Sequence, residues 1–194
     1  MPTRNTGTEK LIKQTAKKIF LEDGKLHATT DDIAKEAKIP RTSVHYYFRS
    51  RDHLFKQVFD EALVELVQRL NEIVDSSLPF RQKIENYIDV CFAQSTQYPH
   101  LETFIITEII NQRLEVGEED PARMKKFLKE IKSEMDKGNI PEMNPRQFIL
   151  NLFSLITYPA IAAPLNKKLF SIDDKAYERL LKERKAVIMK VLLP

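Results

Sequence analysis

A single cysteine, Cys91, is all that the 194-residue sequence holds, with four glycines beside it. One thiol excludes an internal disulfide and leaves no cysteine pair for a zinc site, which fits a reducing cytoplasm. So few glycines argue against a Gly-rich phosphate loop and against many hairpins. The start of the chain, MPTRNTGTEK, has no apolar run, so no secretory signal is expected. The most apolar stretch, residues 148–163, falls short of the roughly 20 residues that a spanning helix needs and carries Asn151 and Pro159. It reads as a buried helix, and no membrane is expected as a partner. His27, His45, His53 and His100 are scattered without metal-ligand spacing. No metal site, cofactor or catalytic constellation can be built from them, and Cys91 on an apolar stripe has the default of an inert buried thiol.

What is present supports a core: 42% of residues are apolar, and the ten prolines fall mostly between periodic apolar segments, where they punctuate helices. The whole chain therefore reads as all-α, with about nine helices. Charge is uneven. Residues 1–50 hold 10 Lys/Arg against 6 Asp/Glu, net +4, whereas residues 51–194 hold 21 against 22, net −1. A basic excess in one segment suits a polyanion, because Lys and Arg displace counterions from phosphates, and it also suits an ordinary solvated face.

The stretch from Thr29 to Phe55, TTDDIAKEAKIPRTSVHYYFRSRDHLF, has the layout of a helix-turn-helix. Before it, a first helix over about Thr8–Asp23 places Ile12, Ala16 and Phe20 beside Leu11, Thr15 and Ile19, opposite Lys10, Lys13, Lys17 and Lys18, and closes at Gly24. Thr29 and Asp32 approximate a capping box for the second helix, whose Ile33, Ala34 and Ala37 face inward. Lys38-Ile39 form the turn, and Pro40 presets φ for entry into the third helix, Arg41 to Phe48. On that helix the 100° period sends Val44 and Phe48 inward. Thr42, His45 and Tyr46 point outward, flanked by Arg41, Ser43 and Tyr47. Hydroxyls, an imidazole, a guanidinium and aromatic rings are the groups that base edges and phosphates require. The same eight residues also suit a plain surface helix.

Ser50 caps a fourth helix with an apolar stripe from Leu54 to Val74, long enough to connect the N-terminal unit to the C-terminal part of the chain. Further helices are expected over about 80–98, 100–116, 121–137, 145–164 and from 173 onward, with a polar loop at 117–120. Glu108 stands out as a carboxylate on an otherwise apolar face; it is either paired at a helix edge or available to a cationic or hydrogen-bonding ligand. The last two helices carry apolar surface enough for half of a four-helix dimer interface.

Taken in order, the segment from Ile19 to Phe55, with IFLEDG, TTDDIAKEA, SVHYYF and RSRDHLF, resembles the N-terminal DNA-binding region of the TetR (tetracycline repressor) family of transcriptional regulators. The resemblance covers roughly the first 55 residues and implies two domains. Residues 1–53 would form a three-helix helix-turn-helix DNA-binding domain, and residues 54–194 a helical ligand-binding and dimerisation domain. It implies a cytoplasmic homodimer joined through the two C-terminal helices, a double-stranded DNA operator as partner, and a small effector bound among helices four to eight. By motif position it implies DNA contacts from Thr30, Arg41, Thr42, Ser43, His45, Tyr46, Tyr47 and Arg51. By chemistry Thr30, Tyr47 and Arg51 suit phosphates and Arg41, Thr42 and Tyr46 suit base edges, while His45 suits either. Candidate lining of an effector pocket is Phe59, Cys91, Phe104, Glu108, Phe127 and Phe153, which suggests a partly apolar ligand.

The chain departs from the family at four places. Lys38 stands where glycine is usual, which points to a slightly remodelled turn, since a left-handed lysine costs on the order of 1 kcal/mol. Lys25 stands where an apolar residue is usual, so that Leu26 is expected to take over its packing. Pro40 replaces a capping serine, and His45 replaces a tyrosine. The expected function is a repressor released from its operator by a small ligand. A helical protein-interaction module and, with far less support, an enzyme are the alternatives.

Overall fold

A computed structural model describes residues 6–111 and 121–194, and among these all regular structure is helical, in ten α-helices. The end of the expected sixth helix and the expected loop at 117–120 lie outside the described residues. The chain forms two compact units, one comprising the residues up to Val67 together with Gln97–Leu101, the other Gln68–Thr96 and Glu102–Pro194. They part within the fourth helix, further along than the 53/54 boundary read from the sequence.

In the first unit, α1 (Thr6–Lys17) runs into a π-helical turn (Lys18–Glu22), followed by α2 (Thr30–Glu36), α3 (Arg41–Phe48) and the first half of α4 (Arg51–Asp75). Ile12, Ala16, Ile19, Phe20, Ile33, Ala34, Val44, Phe48, Leu54 and Val58 are buried. These are the inward positions of each helical period, and the small Ala16 and Ala34 allow close backbone approach. Gly24 takes φ +66° just after the π turn, and a Cβ there would fall 2.5 Å from Nε2 of His100. That position favours glycine for its φ, and a side chain there would also displace the exposed His100 ring. α2 opens with the expected capping box: Asp32 N donates to Thr29 Oγ1 at 3.2 Å and Thr29 N to Asp32 Oδ2 at 2.8 Å. The Thr29 N–H, and then the Thr29 hydroxyl, which donates to Asp32 Oδ2 at 2.7 Å, hold that carboxyl below its ordinary range.

The second unit holds the rest of α4, α5 (Phe80–Gln97), α6 (Leu101–Ile110), α7 (Pro121–Asp136), α8 (Pro145–Ile161), α9 (Ala163–Phe170) and α10 (Asp174–Leu192). Phe80, Ile84, Ile88, Phe127, Ile131, Phe148, Leu152, Ile156 and Ile188 form its core. The expected single helix over 145–164 is in fact two, α8 and α9, bent by 74°. Prolines explain the break. Pro159 has no N–H for the carbonyl of Leu155, which instead accepts from Arg184 Nε at 3.2 Å, and Pro164 has none for Ala160. The carbonyl of Pro159 accepts from the Tyr177 hydroxyl at 2.7 Å, and buried Asn166 donates to the same hydroxyl at 3.0 Å. Lys83, also buried, donates to the Val74 carbonyl near the end of α4 and to Glu130. Among the described residues no single helix is long and apolar enough to cross a membrane.

Candidate nucleic-acid interface

Val44 and Phe48 anchor α3 into the head, so its opposite face is left outside. Arg41, Thr42, His45 and Tyr46 are exposed, Tyr46 to 65%, and Ser43 and Tyr47 are half-buried beside them. Thr8, Thr42, Ser43, Tyr46 and Tyr47 line a shallow groove, and the two tyrosine rings meet edge to face at 5.1 Å. Arg41 Nε donates to His45 Nε2 at 3.3 Å, while His45 Nδ1 lies 3.2 Å from the Arg49 carbonyl. Because a guanidinium only donates, Nε2 must accept and the proton sits on Nδ1, directed at that carbonyl. His45 thus braces Arg41 and the end of the helix.

Both ends of α3 carry left-handed basic residues. Lys38 has φ +55° and Arg49 φ +59°. The expected remodelling of the turn does not occur: lysine adopts the glycine conformation, and Ile39 N still bonds the Ala34 carbonyl at 3.0 Å. Such conformations cost about 1 kcal/mol or more each and persist where the surroundings impose them. Lys38, Arg41 and Arg49 are all exposed, so three cations surround the polar-aromatic face. The lysines of α1 are employed differently. Lys13 pairs with Glu61, Lys17 with Glu65 at 3.2 Å and Lys18 with Glu36 at 3.0 Å, so much of the basic excess of the N-terminal segment is neutralised within the head.

Two of the eight sequence-derived DNA contacts are placed differently from the expectation. Thr30 is buried at the start of α2, with 7% exposure. The Arg51 guanidinium turns inward. It lies 5.1 Å from the ring centres of both Phe20 and Phe55, donates to the Leu26 carbonyl and, at 3.4 Å, to that of Ala28, and pairs with Asp52 at 2.8 Å. Arg51 therefore ties the loop after α1 to α4, with one N–H of each guanidinium nitrogen directed at Ala28, Leu26 or Asp52. Half-buried Leu26 belongs to this junction.

The pocket candidates are also dispersed. Phe59 is buried in the head and stacks on Phe55 at 6.1 Å. Phe127 packs on Phe80 inside the core of the second unit. Phe153 is 43% exposed and stacks on Tyr87 at 6.1 Å, because the all-round apolarity of α8 buries only part of its circumference. Phe104 is buried and Glu108 half-buried. Burial, and then the Glu102 carboxylate, push the Cys91 thiol up to about 12, so it stays protonated and unreactive. Glu102, half-buried as a residue, has its Oε2 sealed from solvent. Its position in sequence disguises it, because an acid in the first turn of a helix is ordinarily a solvated partner of the dipole. The one signal is the spacing of Cys91 and Ser95, which puts a hydroxyl on the face that also carries the thiol.

A helix-turn-helix head that buries one face of its second short helix and displays the other, polar and cation-flanked, defines a DNA-binding class of protein. Residues 12–58 match the family described as "Bacterial regulatory proteins, tetR family". Over 76 residues, 39% of the chain, it is 32% identical to an uncharacterized HTH-type transcriptional regulator of Bacillus subtilis, YhgD. The match spans 40% of that relative's length. The fold is similar across nearly the whole chain to a crystal structure of a HlyIIR mutant protein, with a TM-score of 0.62, 20% identity and coverage of 98% and 99% of the two chains. It is also similar to a transcriptional regulator of the TetR/AcrR family from Thermobifida fusca, with a TM-score of 0.61, 12% identity and coverage of 95% and 97%.

Proposed function

We propose that the protein is a homodimeric transcriptional repressor that binds a double-stranded DNA operator and is released from it by a small, partly apolar ligand. The observation that carries this reading is the exposed face of α3, which displays Arg41, Thr42 and Tyr46, the last two lining the groove, with Lys38 and Arg49 beyond its ends. Arg41 can fork onto a guanine edge, Thr42 and Ser43 can exchange hydrogen bonds with base edges, and the Tyr46 ring can meet a thymine methyl. Tyr47, Lys38 and Arg49 suit phosphates.

Dimerisation is supported by exposed apolar side chains on α8 and α10, namely Leu150, Phe153, Leu180, Val187 and Val191. Water-exposed side chains of this size gain about 25 cal/mol per Å² when a second copy covers them. Two copies would then present two reading helices about 34 Å apart, one turn of B-DNA. The effector belongs to the second unit, and to act it must bind more tightly when the two heads have a spacing that DNA does not accept. A coupling of about 1–3 kcal/mol changes operator affinity 5- to 150-fold.

An electrophoretic shift with DNA flanking the gene, repeated across a salt series, tests the reading. The expected result is sequence-selective binding that weakens steeply with salt. Binding of all sequences alike, or none at physiological salt, overturns it and favours a helical protein-interaction module.

A further inference from the structure

Cys91, Gln94 and Ser95 share one side of α5, spaced three and four residues apart. Gln94 is only 3% exposed, yet its Nε2 has no hydrogen-bond partner among the described residues. On the first turn of α6, Glu102 Oε1 accepts from Ser95 Oγ at 2.6 Å, while its Oε2 is buried and equally without a partner there. Among the described residues no Lys or Arg forms an ion pair with this carboxylate, and burial pushes it above the ordinary carboxylate range. Of these two orphaned polar atoms one is a donor and one an acceptor, and each forfeits its bonds to water without replacement. One turn from them lie apolar neighbours, Cys91 and Phe92 on α5 and Ile105 and Ile106 on α6.

We propose that Gln94, Ser95 and Glu102 form the polar end of a binding site for a small lipophilic amine that carries a hydrogen-bond acceptor next to its ammonium group. The ammonium donates to Glu102 Oε2 and supplies the missing countercharge. The ligand's acceptor oxygen takes the N–H of Gln94, and its apolar tail lies along the α5 and α6 side chains. Desolvation makes this pairing selective: an anion meets a buried carboxylate with nothing to offset it, and a neutral polyol offers hydrogen bonds without charge. The assignment rests on the reading of the second unit as the one that binds the effector. Glu102 comes directly after Leu101, the last residue of the 97–101 segment that packs with the head. A ligand held here is thus one peptide bond from that segment.

The test is calorimetric titration of the full chain, without DNA, with 2-amino-1-octanol, 1,2-octanediol and octanoate. The amino alcohol should bind at least tenfold more tightly than the diol, with octanoate weakest. Glu102→Gln should remove that preference. The isosteric amide keeps an acceptor for Ser95, so folding, checked by circular dichroism, should persist. Equal binding of diol and amino alcohol by the native chain overturns the proposal. So does an unchanged preference in Glu102→Gln, or no binding of any probe, which would leave a buried water as the partner of both orphans. Should Glu102→Gln not fold, Ser95→Ala, which frees the carboxylate from its hydroxyl, must change amine affinity at least threefold, and an unchanged value overturns the site. A chain that shifts DNA but ignores the amine refutes this site alone. One that binds the amine but shifts no DNA refutes the regulator reading alone.

Discussion

The two units of this chain use burial in opposite ways. In the head, apolar side chains and one inward-turned arginine consolidate a small core, ion pairs absorb most of the α1 lysines, and the strain of two left-handed basic residues is spent at the ends of a single exposed helix face. In the second unit the core is larger, but polar atoms are left without partners inside it and large apolar side chains are left in water on α8 and α10. Among the described residues the head leaves no buried side-chain polar atom without a partner, although Leu11, Val64 and Val67 are exposed on it. The second unit is incomplete internally, at Gln94 and Glu102, and externally, at its apolar faces. A surface that reads a ligand can be rigid and finished, whereas a unit that must respond to one keeps unsatisfied groups that binding can satisfy.

The contrast can be broken first at Lys83. If the second unit tolerates buried polarity only where it is paired, Lys83→Ala, which leaves Glu130 and the Val74 carbonyl without their donor, should cost roughly 3 kcal/mol in chemical denaturation. A loss under about 1 kcal/mol would mean that water reaches this pair. The second prediction concerns Arg51. Its placement between Phe20 and Phe55 makes it a structural residue, so Arg51→Ala should lower the stability of the head by about 2 kcal/mol. Arg51→Lys should fail to restore it, because an ammonium lacks the planar fork that contacts both rings and reaches two carbonyls at once. Weaker DNA binding with unchanged stability would instead return Arg51 to the phosphate contacts.

On the displayed face, Tyr46→Ala should reduce discrimination between operator and unrelated DNA by about 1–2 kcal/mol, or 5- to 30-fold, with little change in folding, since the ring is largely exposed. Equal weakening on all sequences would move Tyr46 to the phosphates. The smallest effect is expected from Lys38→Gly. Relief of the left-handed backbone, less the extra chain entropy of glycine, should stabilise the head by about 0.5 kcal/mol, and the slope of log affinity against log salt should fall by about 0.9 if the lysine meets a phosphate. A stabilised variant with an unchanged slope would make the lysine a tolerated substitution and nothing more.

Much of the head was legible in the residue pattern. Thr29 and Asp32 announce a cap, Val44 and Phe48 the buried side of α3, and Gly24 a left-handed backbone, because each of these arises from bonds and periods within four residues. Arg51 was not legible, since the carbonyls and the Phe20 ring that capture it lie 23 to 31 positions earlier. The same holds for Lys17, which a helical wheel assigns to solvent and the fold gives to Glu65. In the second unit the helices were mostly legible but the break at Ala162 was not. Pro159 by itself is accommodated within α8, because Arg184 caps the carbonyl it frees, and only Pro164 coincides with the bend. Glu108 stands out as the charged interruption of an apolar stripe, yet it is Glu102 whose Oε2 is buried.

By itself, then, the sequence determined the number and amphipathic faces of most helices, the helix-turn-helix and the side of α3 turned outward, all set by local propensity and the 3.6-residue period. Tertiary structure alone decided which charges are spent inside the head, which aromatic residues are core and which surface, and which polar atoms of the second unit remain without a partner. Those outcomes depend on groups far apart in sequence competing for the same buried space, and no local period encodes that competition.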